Sequence, residues 1–243
     1  MRVVAIVPAA GLASRLGSPV VPKELLLIPG PNAGLEPVIF DALRRCHQAG
    51  IQEVVVVSRP GKALLNVFVD EHLESAWPAL NVTRVTQSGS GLLGAVKTAV
   101  DVVKGDIYVL VLPDTVVRPI TCLKPVVRRV RQGAALAFGV FPTKNPREQA
   151  PVELDGKGKV VKLQEKPRRP LANNTWGVLA FDGRLCLLLD KETAFCDVLS
   201  AALTKGLDVQ GVFFGEGQYI DTGTMDGLAS VFVRPDSRGS CSC

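Results

Sequence analysis

The chain has 243 residues, 47% of them hydrophobic and 21% charged, with Lys+Arg 28 against Asp+Glu 23. That is enough for one α/β domain with a large core and too apolar for a disordered chain. The net charge of +5 favours a small anionic substrate. The basic clusters are too short to argue for nucleic acid, and no apolar run approaches the roughly 18 residues of a membrane span.

Residues 3–7 form an apolar run bounded by Pro8, which reads as a buried strand of a parallel sheet. A loop of small residues follows, with Ala9, Ala10, Gly11, Ala13, Ser14 and Gly17, and beside it stand Arg15 and Lys23. Small side chains let backbone N–H groups surround an anion. Arg adds a planar fork and Lys a point charge. Together they describe a polyphosphate site. The plainer alternative is an ordinary glycine-containing turn with surface charges. The loop matches neither the Walker pattern nor the dinucleotide fingerprint. Residues 3–10 imitate the core of a secretory leader, but Pro8 interrupts it and only Arg2 precedes it, so a cytoplasmic protein is expected. Cys46, Cys122, Cys186 and Cys196 fall inside expected elements as small apolar residues. Cys241 and Cys243 lie in the polar tail RPDSRGSCSC. That usage fits a reducing compartment.

The spacing predicts a helix over 37–49, with Pro37 in its first turn and Gly50 as its stop. A strand over 53–57, a helix over 62–73 and a strand over 81–86 follow. The glycine-rich head 87–91 enters a helix over 92–103. Residues 107–112, IYVLVL, are the clearest central strand and run into Pro113-Asp114. This β-α-β-α-β-α-β order implies a parallel sheet with right-handed crossovers. Next come a helix over 123–132, whose Arg128, Arg129 and Arg131 read as a solvated face, and a strand over 135–141. A hairpin is expected about DGKG, with arms 152–154 and 159–164, then a strand over 177–182. Helical segments near 184–190 and 194–205, a strand over 209–214 and a last helix over 225–233 complete the order. The expected fold is α/β, a Rossmann-like three-layer α/β/α sandwich with a mostly parallel central sheet. Residues 1–233 read as one domain and 234–243 as a disordered tail.

Ligands of open α/β sheets sit beyond the carboxyl ends of the strands. Asp114 directly follows the most buried strand, where a carboxylate can hold a hard cation beside a phosphate; the alternative is a turn aspartate. Asp221, in YIDTG before a helix, has the same two readings. Glu165-Lys166-Pro167 ends a strand, where Lys166 can meet a second phosphate and Glu165 can accept sugar hydroxyls, or both are solvated charges.

Five segments together resemble the sugar-1-phosphate nucleotidylyltransferases. PAAGLASRL with PKELL looks like the family signature, and Gln87 with GLLGAV like the base-binding segment. LPDT looks like the metal-bearing turn, QEKP like the sugar-phosphate motif and YIDTGT like the closing motif. The resemblance implies that Ala10, Gly11, Gln87 and Gly91 hold the nucleotide, with Arg15 and Lys23 on the triphosphate. It implies Mg²⁺ on Asp114 and Asp221, Glu165 and Lys166 on the sugar and its phosphate, and Gly177 giving the sugar close backbone approach. Arg15, Lys23, Asp114, Lys166 and Asp221 would be the catalytic set, with UTP or dTTP and a sugar 1-phosphate as substrates.

Ala13, Ser14 and Ala150 depart from the family pattern, the last leaving the identity of the sugar open. Two alternatives stand beside this reading. One is a cytidylyltransferase acting on a non-sugar alcohol phosphate. The other is a catalytically silent, ligand-binding subunit. Monomer and homo-oligomer are both compatible with the sequence. His47 and His72 lie in expected helices and read as structural.

Overall fold

The computed structural model describes residues 1–12, 16–17, 21–32 and 34–233. Arg15, Ala13, Ser14 and the tail with Cys241 and Cys243 therefore lie outside the described residues.

The apolar runs become strands as their composition dictates: β1 (Val3–Pro8), then β2 (Leu27–Pro29) and β3 (Leu35–Pro37), a short antiparallel pair. Helix α1 (Ile39–Gln48) leads to β4 (Glu53–Ser58), α2 (Ala63–Ala76), β5 (Asn81–Thr86), α3 (Gly91–Val102) and β6 (Ile107–Val111). After β6 come β7 (Thr115–Arg118), α4 (Leu123–Arg131), β8 (Leu136–Pro142), β9 (Val152–Leu154), β10 (Val160–Leu163) and β11 (Asn174–Asp182). Then α5 (Gly183–Leu189), α6 (Phe195–Thr204), β12 (Val209–Phe213), β13 (Gln218–Asp221) and α7 (Met225–Ser230) complete the described order.

Seven strands make the central sheet, in the order β12-β8-β11-β6-β1-β4-β5. The pairs β6–β1, β1–β4, β4–β5 and β12–β8 are parallel, and β11 runs antiparallel to both its neighbours. Alternate residues of each strand feed opposite faces. Ala5, Val7, Val109 and Val111 pack with α1, α2 and α4 on one side. Val4, Ile6, Tyr108 and Leu110 pack with α3, α5 and α6 on the other. Two apolar layers sandwich the sheet, as the order of elements implied.

Some expectations change. Pro37 ends β3 rather than opening a helix, and α1 starts at Ile39. Strand β11 begins at Asn174, three residues before the expected start. Strands β2, β3, β7 and β13 were not expected at all. Strand β10 stops at Leu163, so Glu165 and Lys166 lie in the turn beyond it.

Candidate active site

The parallel strands β1, β4, β5 and β6 all end at one rim of the sheet. A cavity of about 840 Å³ opens there. Its walls are the segments leaving those strands: Ala10 and Gly11 after β1, Arg59 after β4, Gln87 and Gly89 to Leu92 after β5, and Leu112, Asp114 and Thr115 after β6. Its size is within the range of small-molecule sites, on the order of 300–1,000 Å³. The loops are tied to the strands and to one another. The Ala9 N–H donates to the Val57 carbonyl at 2.7 Å, and the Gln87 N–H to Ser58 at 2.8 Å. Gln87 also donates its Nε2 to the Gly91 carbonyl at 2.9 Å, which leaves its amide oxygen as an acceptor.

Asp114 and Asp221, 107 positions apart in sequence, are brought together by β7 and β13. These strands pair antiparallel, with Thr115 opposite Asp221. Thr222 then donates both its N–H (3.0 Å) and its hydroxyl (2.8 Å) to the Asp114 carbonyl. The Asp221 carboxylate accepts the Gly223 N–H at 2.9 Å. Helix α7 packs directly on this second turn. A Cβ on Gly227 would lie 1.8 Å from the Asp221 carbonyl oxygen, so only glycine lets the helix approach. Both aspartates line the cavity. Among the described residues, no three His, Cys, Asp or Glu side chains stand together as a metal cluster.

Lys23 donates to Asp114 at very short range, so the signature lysine and the turn aspartate share one site. Burial acts to lower the Lys23 pKa. The Asp114 charge and hydrogen bond, with Glu24 and Asp221, more than reverse this, and the ammonium titrates above the ordinary lysine value. By sign, this favours folding fully below the unfolded lysine pKa and is lost only as pH rises through the folded one.

Next to Lys23, Glu24 is fully buried and accepts two bonds of 2.7 Å from Lys62. Burial pushes the Glu24 carboxyl up and the Lys62 ammonium down, each opposed by the charge of its partner. The pair anchors the turn Lys23–Leu25 that presents Lys23.

A second cavity, also about 840 Å³, shares Tyr219 and Asp221 with the first and is lined by Arg118, Lys144, Gln149 and Thr224 among others. Glu165 and Lys166 are exposed and line neither cavity. The Lys166 N–H nevertheless donates to the Gln149 carbonyl at 2.8 Å, which sets Lys166 beside the second cavity. Its φ of 43° is the one left-handed backbone conformation at a non-glycine among the described residues. Such strain costs on the order of 1–3 kcal/mol and gathers at functional sites. Gly177 is buried beneath Tyr219 and Phe141, and a Cβ there would lie 2.7 Å from the Tyr219 ring. The missing side chain admits that ring. Ala150 is buried too and lines neither cavity.

The sequence reading missed Arg59, Tyr219 and the Glu24–Lys62 pair. Arg59 had a signal available, since it directly follows a buried strand. The Glu24–Lys62 pair had none, because its members stand 38 positions apart and each reads alone as an exposed charge.

The family model described as Nucleotidyl transferase matches residues 5–235, and the chain belongs to that family. It is a nucleotidyltransferase, and the resemblance to the sugar-1-phosphate nucleotidylyltransferases is borne out by its relatives. It is 26% identical over 245 residues to a glucose-1-phosphate thymidylyltransferase of Mycolicibacterium smegmatis, covering 94% of this chain and 81% of that one. It is 30% identical over 217 residues to a UTP–glucose-1-phosphate uridylyltransferase of Komagataeibacter xylinus, covering 76% and 73%. The fold matches that of a UTP-bound UGPase from Acinetobacter baumannii with a TM-score of 0.78 at 22% identity, over 95% of this chain and 92% of that chain.

Proposed function

We propose that the chain transfers a uridylyl or thymidylyl group from UTP or dTTP to a sugar 1-phosphate, releasing pyrophosphate, with Mg²⁺ as cofactor. The observation that carries this reading is the convergence of Asp114 and Asp221 with Lys23 at the edge of a cavity rimmed by strand ends. The donor set suits Mg²⁺, which binds through one or two carboxylates and keeps waters and substrate phosphates as its other ligands. It does not suit a closed zinc or calcium cage. When bound, the ion supplies charge neutralisation for the phosphates. The names of the curated relatives make glucose 1-phosphate the first acceptor to test.

The chemistry needs no side-chain nucleophile. An oxygen of the sugar phosphate attacks the α-phosphorus in line, that P–O bond forms, and the bond to pyrophosphate breaks. Two polyanions must approach, so positioning and charge dominate. Backbone groups of Ala10, Gly11 and Gly91 cradle the nucleotide in the first cavity. Asp114 and Asp221 would hold the cation, Lys23 beside them would bind the triphosphate, and Arg15 would add a second charge. The acceptor approaches from the second cavity, with Lys166 at its edge for the incoming phosphate and Glu165 for sugar hydroxyls. UTP with glucose 1-phosphate and Mg²⁺ is expected to give UDP-glucose and pyrophosphate in equal amounts, and EDTA to abolish both. UTP binding without turnover on any sugar phosphate would favour the silent subunit instead.

Gln87 sets the base. With its Nε2 turned to Gly91, it presents an acceptor, which suits the N3–H of uracil or thymine. Cytosine N3 and adenine N1 are themselves acceptors, and guanine needs a wider slot. A hydrogen-bonding site rejects a mismatched partner strongly, because buried polar atoms are left unpaired. Gln87→Leu is expected to flatten the preference for UTP or dTTP over ATP and CTP while leaving the metal requirement intact. Unchanged base selectivity in that variant would contradict the assignment.

A pH dependence follows from Glu165. Although the residue as a whole is exposed, partial desolvation of its carboxyl pushes its pKa up, and the Lys166 charge pulls the other way with less effect. The anion, which accepts sugar hydroxyls, exists only above that raised pKa. The kcat/KM for sugar 1-phosphate is expected to fall with decreasing pH at a value above the ordinary glutamate range. Glu165→Gln is expected to remove this limb from the pH profile, and a limb unchanged in that variant would refute the role.

A further inference from the structure

Among the described residues, Arg45 is the largest side chain that the fold buries completely, and the reading above gives it no task. It reaches from α1 to the turn between β6 and β7. Its Nη2 donates to the Leu112 carbonyl at 3.2 Å and to the Thr115 carbonyl at 3.1 Å, so it grips the main chain on both sides of Asp114. Its Nε pairs with the Asp41 carboxylate at 3.2 Å, one helical turn earlier, and Asp41 is fully buried too. Asp41 in turn accepts the Val117 N–H at 3.4 Å and an Arg118 N–H at 2.6 Å.

Among the described residues, β7 pairs with no strand except β13. The Thr115 carbonyl and the Val117 N–H lie on the edge of β7 turned toward α1. Arg45 and Asp41 bond them in place of a further strand. A buried ion pair is weak evidence for stability, since well-packed apolar residues often serve as well or better. Apolar residues cannot, however, hold the carbonyls at 112 and 115. Those two carbonyls frame Asp114, and the same strand sets Asp221 through the pairing of Thr115 with it.

We propose that Arg45 and Asp41 are positioning residues, which hold the Asp114 turn and β7 so that the Asp114 and Asp221 carboxylates converge on one divalent cation. The inference rests on reading those two carboxylates as the metal-bearing pair. Outer partners of this kind orient ligands, and their loss costs about 10–100-fold in metal affinity.

The test is Mn²⁺ binding to the whole chain without substrate, read from the electron paramagnetic resonance signal of free Mn²⁺. The wild type is expected to bind, and Asp114→Asn to lose the site. Arg45→Met and Asp41→Asn are expected to weaken binding by about 10-fold or more. Arg45→Lys should fall between, because one ammonium cannot span both carbonyls. The dissociation constant belongs to each folded molecule, so a merely structural role would lower the melting temperature and leave it unchanged. That result in Arg45→Met would overturn the inference. If Arg45→Met does not fold, wild-type affinity in both Arg45→Lys and Asp41→Asn would overturn it equally. Equal binding by wild type and Asp114→Asn would instead overturn the metal reading itself, and this inference with it.

Discussion

Asp114→Asn and Asp221→Asn are each expected to lower nucleotidyl transfer by on the order of 100-fold or more. Each substitution keeps the shape of the side chain and removes one formal charge where the proposed reaction brings two polyanions together. The main-chain ties survive, because Thr222 bonds the Asp114 carbonyl rather than its carboxylate. Folding should therefore persist, and a thermal melt close to that of the wild type checks it. The two variants differ in one respect. Asp114→Asn also strips Lys23 of its charged partner, so the lysine pKa falls and triphosphate binding at low metal is affected first. Turnover is measured as pyrophosphate release across a Mg²⁺ titration. Full activity of either variant at limiting Mg²⁺ would remove that aspartate from the metal site.

The second large effect would separate the two proposed phosphate sites. Lys166→Ala is expected to raise the KM for sugar 1-phosphate and lower kcat, while free nucleotide binds almost as before. Arg15→Ala is expected to weaken the triphosphate instead. A lost charged contact to phosphate is worth roughly 1.5–3 kcal/mol, so each shift is about 10- to 100-fold. Lys166 permits a control that ordinary surface lysines do not. Its backbone has φ 43°, a conformation that glycine adopts without strain. Lys166→Gly keeps the turn and removes the whole exposed side chain with its charge, so it should match the wild type in stability and match Lys166→Ala in lost activity. If Lys166→Ala mainly weakens nucleotide binding in the absence of sugar, the two phosphate roles are exchanged.

The parts of the fold legible in the sequence are those whose residues carry their own pattern. Strands β1, β4 and β6 are continuous apolar runs because helices cover both their faces. Helix α1 shows its buried face at helical spacing. Asp114 and Asp221 were legible as candidates because each follows an apolar stretch. Their convergence was implied by the family resemblance and not by the residues themselves, since β7 and β13 have four residues each, too few for a period, and find one another across about a hundred positions. The pairs β2–β3 and the start of α1 failed for a related reason: Pro37 suits a strand end as well as a first helical turn.

Asp41 and Arg45 did carry a signal. They stand four apart on α1, beside the apolar positions Ala42 and Cys46, where an ion pair must be buried with that face. Gly177 was legible as a place for close approach, but the neighbour it admits is Tyr219 from β13, which only the folded chain brings there.

A matrix of nucleoside triphosphates against sugar 1-phosphates, read by pyrophosphate release in Mg²⁺, tests the central claim most directly. The account predicts turnover that needs both substrates and favours UTP or dTTP, with Asp114→Asn silent in every well. Preference for ATP or GTP would contradict the reading of Gln87. Turnover with CTP and polyol phosphates, and none with any sugar 1-phosphate, would contradict the proposed reaction.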